Sequence, residues 1–397
     1  MRSLRRVVVV VAQCLALTAC SSGGKPPPDP PPPADVRRYG AVCDGRADDS
    51  QALIRAGQAS LEVLIPAGLS CRVTRPLAAG IRPGQRWHGG GAVVTDDGFN
   101  FTVFSVAGKT DVMFDGLAGR SGTPGVNHLS ANARFIEFIS GAHRGRVLRS
   151  RISGFQQAVR VHGSTDVVVA DNELSNVDGW GISIQTGAHR AEVARNRVTG
   201  TVNEHGIYAS ASPGDRVRGL VLRDNTVSGS RIDGVKLTYT EGAVVEGNTA
   251  SSNGGQGIYV TIGNDRADVR SNLAQANGDH GILVYDPSST SSDNRVAGNK
   301  VRDNRGHGVF VTSAGDGSVV ATKVTGNEIE ANGDGGTGYG IVVSGPPSTR
   351  GTVIEGNRIR RQRIGVYVAG GSDTAVGLNS CDDCEIAVVV PSESIAR

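Results

Sequence analysis

The chain has 397 residues, of which 56 are glycine, with 4% aromatic and 20% charged residues. Glycine at about twice ordinary usage, with no Gly-X-Y period, excludes collagen and fits many tight turns. The formal net charge is +3, and no basic stripe with interleaved aromatics runs through the sequence, so a nucleic-acid footprint is missing and no nucleic-acid partner is expected.

The first residues read as a targeting segment. Arg2, Arg5 and Arg6 give a positive end, and Val7 to Leu17 form an apolar stretch too short to span a bilayer as a mature helix. Leu17-Thr18-Ala19-Cys20 resembles the lipobox of bacterial lipoproteins. That resemblance implies a signal peptide over residues 1–19, lipid on the Cys20 sulfur and an anchor in the membrane. An ordinary signal peptide that contains a cysteine is the other reading. Ser21 follows, with no Asp at that place, which in the lipoprotein family implies the outer membrane rather than the inner one. Without residues 1–19 the chain carries 38 basic and 38 acidic residues. Residues 20–35 then form a proline-rich linker, a semi-rigid spacer.

The stretch 36–125 is expected to hold an N-terminal cap and the first coils. Asp48 or Asp49 is placed to cap a short helix through Gln51–Ala56. Four cysteines remain beyond Cys20, and an even number in an exported chain reads as disulfides. Cys43 with Cys71 is the expected bridge in the cap. Cys381 and Cys384 fit a local bridge, the alternatives being a redox motif or half a zinc site. No thioredoxin-like context or second ligand pair accompanies them.

Residues 126–370 are read as the β-helix repeats, and within them one phrase recurs: a residue, Gly, an aliphatic, then an alternating run. Its glycines are Gly181, Gly206, Gly234, Gly257, Gly281, Gly308, Gly340 and Gly365, in steps of 25, 28, 23, 24, 27, 32 and 25 residues. A period of this size signals a stacked-repeat architecture. A second phrase places Asn about nine residues before each glycine, at Asn172, Asn196, Asn225, Asn248, Asn272, Asn299, Asn327 and Asn357. Four turns add Asn253, Asn277, Asn304 and Asn332. Identical amides stacked turn on turn can hydrogen-bond along the stack. Short β-branched runs such as Leu220-Val221-Leu222 and Ala243-Val244-Val245 lie between the phrases and read as strands. The fold class is therefore all-β, a parallel β-helix with a short capping helix, and residues 371–397 are read as its C-terminal cap.

Tyr39-Gly40-Ala41-Val42-Cys43-Asp44-Gly45-Arg46-Ala47-Asp48-Asp49-Ser50-Gln51-Ala52-Leu53, followed by Val63-Leu64-Ile65-Pro66-Ala67-Gly68, resembles the N-terminal segment of the pectate-lyase-like superfamily of right-handed β-helices. The resemblance implies a right-handed helix and a polysaccharide partner. It leaves the reaction open, since the superfamily includes lyases, polygalacturonase-type hydrolases, alginate epimerases and phage tailspikes.

Strand alternation sorts the glycine phrase. With the aliphatic after Gly inward, positions −1, +2 and +4 face outward. Successive coils then present Trp180, Ser183 and Gln185; His205, Tyr208 and Ser210; Asp233, Lys236 and Thr238; Gln256, Tyr259 and Thr261; His280, Leu283 and Tyr285; and His307, Phe310 and Thr312. The wall gathers Trp, His, Tyr and Lys in a chain poor in them. Aromatic faces suit sugar rings, so Trp180, Gln185, Gln256, His280, Tyr285 and His307 are candidate substrate contacts. His205, Tyr208, Asp233, Lys236 and Tyr259 are candidate catalytic groups. Proton abstraction at C5 of a uronate needs a base, a positive group or Ca²⁺ to neutralise the carboxylate, and an acid. His205 or Lys236 fits the base and Tyr208 or Tyr259 the acid. An inert Lys236–Asp233 ion pair is the bland alternative.

The resemblance also marks departures. Gly306-His307-Gly308 and Arg231-Ile232-Asp233 appear out of the order that polygalacturonase-type hydrolases use, and the paired acids of that family are missing. Only His205 of Asn203-Glu204-His205-Gly206 echoes the Asp-Pro-His motif of alginate epimerases. No dense carboxylate cluster marks a metal site. Asp178, Glu204 and Asp233 lie on adjacent turns and leave a weak Ca²⁺ site open as the one cofactor. The expectation is a monomeric, lipid-anchored uronate-polymer lyase or C5-epimerase of the cell envelope. A non-catalytic glycan- or envelope-binding protein, a polygalacturonase-type hydrolase and a structural spacer are the alternatives.

Overall fold

A computed structural model describes residues 32–123, 132–334 and 338–390. The expected signal segment, Cys20 and most of the proline spacer lie outside the described residues.

From Pro33 onward the chain winds into a parallel β-helix of about 14 turns. After the first two turns, each turn contributes one strand to each of three parallel sheets, of 14, 12 and 14 strands. One turn shows the scheme. Val244–Glu246 lies in the first sheet, Thr249–Ser251 in the third, and Ile258–Thr261 in the 12-stranded sheet that carries the glycine phrase. The same scheme continues past residue 370. Ala375–Val376, Ser380–Asp382 and Ile386–Val389 extend all three sheets by one more turn rather than covering them. At the other end the first strand, Ala34–Asp35, pairs with Glu62–Leu64 inside the stretch read as linker.

The bends explain the asparagines. A residue in the left-handed region precedes each one: Arg195 (φ 53°), Asp224 (φ 56°), Gly247 (φ 66°) and Ser271 (φ 56°) stand before Asn196, Asn225, Asn248 and Asn272. Each Asn side chain turns inward. From Asn172 through Asn357, every Nδ2 donates to the Oδ1 of the next Asn at 2.8–3.0 Å, and Asn379 ends the column. Every Oδ1 also accepts the backbone N–H of the preceding Asn. A second ladder runs Asn253, Asn277, Asn304, Asn332. The bend donors that no sheet can satisfy are thus paired by amides, each such bond contributing about 1 kcal/mol net.

Packing explains the glycines. A Cβ on Gly281 would stand 2.2 Å from Val301 Cγ1 and 2.9 Å from the Gly308 carbonyl oxygen. Gly257 and Gly340 face the same crowding, from the next phrase glycine and from the third sheet. The phrase therefore marks where two sheets meet too closely for any side chain. The interior is aliphatic beyond Phe155, and Ile207, Val235, Leu237, Ile258, Val260, Ile282 and Val284 are all fully buried. Closer to the front, Trp87, Phe104, Phe135 and Phe155 form a chain of rings with centroids 5.0–5.5 Å apart.

The capping helix α1 spans Ser50–Ala59, longer than the predicted stretch. Asp49 occupies its N-cap position but bonds no helix N–H. Its carboxylate accepts from Val42 N–H (2.7 Å) and Cys43 N–H (3.0 Å). Asp48 takes the helix end instead, accepting from Ser50 N–H at 3.0 Å. Disulfides join Cys43 to Cys71 and Cys381 to Cys384.

Candidate functional site

The 12-stranded sheet sets the wall in register. Its middle column runs Ser183, Tyr208, Lys236, Tyr259, Leu283, Phe310. The trailing column runs Gln185, Ser210, Thr238, Thr261, Tyr285, Thr312 in the same pairings. Tyr208, Lys236, Tyr259 and Tyr285 are half-buried, while Ser183, Thr238 and Thr261 are covered by their longer neighbours.

At the centre, Lys236 Nζ lies 5.7 Å from the Tyr208 ring centroid and 5.2 Å from that of Tyr259. Ring faces attract a cation at this range. The ammonium therefore sits between two rings in a column, and the ion pair with Asp233, the bland alternative, does not form.

Asp233 is committed elsewhere. It is 1% exposed, and its Oδ2 lies 3.1 Å from His205 Nδ1. Its backbone N–H donates to the same nitrogen (3.2 Å), and its Oδ1 accepts Gln256 N–H (2.8 Å). Nδ1 thus faces both an N–H donor and a carboxylate acceptor of Asp233, and the tautomer follows whichever of the two it bonds. His205 Nε2 is 3.7 Å from Glu204 Oε2, and the ring stands 5.1 Å from that of Tyr208.

The same device recurs along the leading column. His280 Nδ1 accepts His307 N–H (2.8 Å), and His307 Nδ1 accepts Tyr339 N–H (3.3 Å). The rings of His280, His307 and Tyr339 stack at 5.0 and 5.1 Å. Burial, reinforced by His280, pushes the His307 imidazole down to about 4. Burial likewise lowers His280 and raises the Tyr259 phenol. At neutral pH these three are uncharged. Gln256 Nε2 donates to Asp279 Oδ2 (2.8 Å), so this candidate contact is already bonded within the wall.

Upstream, Trp180 stacks toward Tyr208 with centroids 5.7 Å apart, and Gln185 accepts from Arg160 Nε (2.6 Å). That arginine belongs to residues the sequence reading missed. Arg134, Glu137, Gln157, Arg160 and His162 continue the three columns through register pairs Arg134–Gln157, Glu137–Arg160 and Gln157–Trp180. These coils lack the glycine phrase. The spacing of Gln157, Arg160 and His162 nonetheless equals that of Trp180, Ser183 and Gln185, and that was the available signal.

As for metals, Asp178, Glu204 and Asp233 do not converge into a ligand cluster among the described residues. The one such group there is Cys43, Asp49 and Cys71, whose two sulfurs are bonded to each other.

Together these features define a right-handed parallel β-helix protein. The comparisons agree. A family model described as "Right handed beta helix region" matches residues 202–348, and one described as "Periplasmic copper-binding protein (NosD)" matches residues 120–230. Among solved structures, the catalytic unit of a GH87 α-1,3-glucanase from Streptomyces thermodiastaticus superposes with a TM-score of 0.72. It is 16% identical, over 89% of this chain and 69% of its own. The A-module of the mannuronan C-5 epimerase AlgE4 from Azotobacter vinelandii gives 0.64 at 17% identity, over 91% of this chain and 100% of its own. PfbA, a surface adhesin of Streptococcus pneumoniae, gives 0.60 at 13% identity, over 89% and 92%. No curated protein matches by sequence. At these identities the likeness is one of fold.

Proposed function

We propose that this chain acts on an acidic polysaccharide of the cell envelope, held along the wall, as a uronate lyase or C5-epimerase. The observation that carries the reading is the Tyr208–Lys236–Tyr259 column. A uronate carboxylate docked on the Lys236 ammonium is neutralised there, which acidifies the proton at C5 of the same sugar. A phenol then flanks the reacting carbon on each side. Tyr259, kept protonated by burial, is the acid. Tyr208 is the base, and the His205 ring 5.1 Å from it assists the leaving or returning proton. In a lyase the C5–H electrons form the C4=C5 double bond as the C4–O bond breaks. In an epimerase the proton returns to C5 on the opposite face. The wall supplies the cation through Lys236. The envelope location rests on the Cys20 reading and on the periplasmic family model.

A second reading has its own support. The His205, His280 and His307 Nδ1 atoms all accept backbone N–H groups, so the histidines are built into the coil stack, as a non-catalytic glycan-binding wall would allow. The resemblance to an adhesin in fold is compatible with it.

The test is absorbance near 235 nm while the soluble domain, from residue 33 onward, is incubated with alginate, polygalacturonate and hyaluronan, with and without Ca²⁺. Proton NMR of the polymers follows. A rise indicates unsaturated products and a lyase. A changed ratio of C5 epimers with no rise indicates an epimerase. Either activity must fall at least 100-fold in Lys236→Ala. Binding with no chemistry on any polymer rejects the enzymatic reading and leaves the binding one.

A further inference from the structure

The middle column of the wall changes character at Lys236. Upstream it reads Glu137, Arg160, Ser183, Tyr208 and Lys236. Downstream it reads Tyr259, Leu283, Phe310, Val342 and Tyr367. From Gln256 to Tyr367 none of the three columns holds a Lys, Arg, Asp or Glu, in a chain that is 20% charged. The same stretch gathers Tyr259, Tyr285, Phe310, Tyr339 and Tyr367, in a chain that is 4% aromatic. This half of the outer face is therefore built from rings and carries no charge of its own.

The rings are placed to meet something. All five are half-buried, so each keeps part of its surface in water. A contiguous apolar patch of this kind marks a contact surface. His280, His307 and Tyr339 stack on one another, while Phe310 and Tyr367 stand outside that stack, turned 64–87° from it. His307 uses Nδ1 to accept the Tyr339 N–H. Its Nε2 and the hydroxyls of Tyr339 and Tyr367 make no hydrogen bond among the described residues. Burial keeps both imidazoles neutral at neutral pH. Asp279 lies at the rim, where it accepts from Gln256 Nε2 (2.8 Å) and stands 3.5 Å from His280 Nε2.

Those properties select a ligand. A carboxylate laid on this strip would lose water and gain no cation, which is costly. The C–H face of a pyranose stacks on aromatic rings, and its hydroxyls meet the polar tips. Successive coils repeat at about 4.8 Å, comparable with the advance of a sugar along its polymer, so a glycan lying along the wall presents roughly one sugar to each coil. We infer that the wall downstream of Lys236 holds an uncharged run of sugars, and that the polymer is a mixed one, in which neutral pyranoses follow the uronate docked on Lys236. The inference rests on the acidic-polysaccharide reading and names the neighbours of that uronate. Phe310 and Tyr367 are then specificity-determining residues, which favour a mixed chain over a homopolyuronate.

Isothermal titration of the whole protein tests this with three oligosaccharides of similar length. One is derived from gellan, whose repeat carries three neutral sugars for each glucuronate. The others are hexagalacturonate and cellohexaose. The gellan-derived ligand should bind at least tenfold tighter than hexagalacturonate. Phe310→Leu, which keeps apolar bulk but removes the ring, should raise the Kd of the gellan-derived ligand at least fivefold and leave that of hexagalacturonate within twofold. Phe310→Lys should weaken the gellan-derived ligand and tighten hexagalacturonate severalfold, a gain that misfolding would not produce. If hexagalacturonate binds as tightly as the gellan-derived ligand, loses affinity in Lys236→Ala and is indifferent to Phe310→Lys, the neutral run is wrong and the uronate reading stands. If Phe310→Leu weakens cellohexaose while Lys236→Ala changes neither acidic ligand, the uronate reading fails and only a neutral-sugar platform is left. If none of the three binds, both fail.

Discussion

Replacing Asn272 by alanine should lower stability by roughly 3 kcal/mol, far more than the same change at Asn379. Asn272 is 1% exposed. Its Nδ2 donates to Val245 O (2.8 Å) and Asn299 Oδ1 (2.9 Å), and its Oδ1 accepts from Asn248 N–H (2.8 Å) and Asn248 Nδ2 (3.0 Å). Some partners keep other bonds after the change. Asn299 Oδ1 still accepts Asn272 N–H, and Asn248 Nδ2 still donates to Leu222 O. The Asn248 backbone N–H loses its acceptor inside the coil, a loss of about 1–3 kcal/mol. The remaining bonds add about 1 kcal/mol each at most, giving roughly 2–5 kcal/mol in all. At Asn379 the chemistry is the same, since its Oδ1 accepts Asn357 N–H (3.0 Å) and Nδ2 (2.8 Å). That residue is half-exposed at the last turn, so water replaces it and the loss is about 1 kcal/mol or less. Urea unfolding followed by far-UV circular dichroism measures both, with a common m-value as the check on two-state behaviour. Equal losses for Asn272→Ala and Asn379→Ala, within about 1 kcal/mol, would refute the claim that buried amide pairing holds the bends.

Three further outcomes are expected. Gly281→Ala should destabilise by more than about 2 kcal/mol, because its Cβ has backbone and Val301 within 3 Å, whereas Gly298→Ala (φ +62°, open space) should lose only about 1 kcal/mol to backbone strain; thermal melts of the two variants separate crowding from strain. His307 is held neutral down to about pH 4 while the unfolded chain protonates near 6.5, so the unfolded state binds more protons between those values. Stability should therefore fall as pH drops from about 6.5 to about 4, by at most about 3 kcal/mol from this group, and His307→Gln should flatten that part of the profile in pH-dependent urea titrations. Lys236→Arg should keep a measurable part of any polyuronate binding, because the charge between the rings survives, while Lys236→Met removes it; isothermal titration with oligogalacturonate distinguishes them.

Much of the molecule was legible in the one-dimensional pattern, because each coil contacts its neighbours in nearly the same way. A fixed environment repeated turn after turn imposes a fixed residue. The bend needs an amide, so Asn272 and its ladder partners show as a period. The crowded sheet junction needs no side chain, so Gly281 and its counterparts show as a period too. Alternation about each glycine sorted Ile258 and Val260 inward and Tyr259 outward, which placed Tyr208, Lys236 and Tyr259 in one column.

The sequence by itself thus determined the coil, its ladders and the face on which each candidate stands. The tertiary structure alone decided what each candidate touches. Asp233 turns to His205 rather than Lys236, Asp48 rather than Asp49 holds the first helix N–H, and Arg134, Glu137 and Arg160 close into a cluster. These are choices among side-chain atoms a few ångströms apart on coils of unequal length. They depend on rotamers and on the backbone N–H that happens to lie beside each ring, and no periodicity along the chain encodes either.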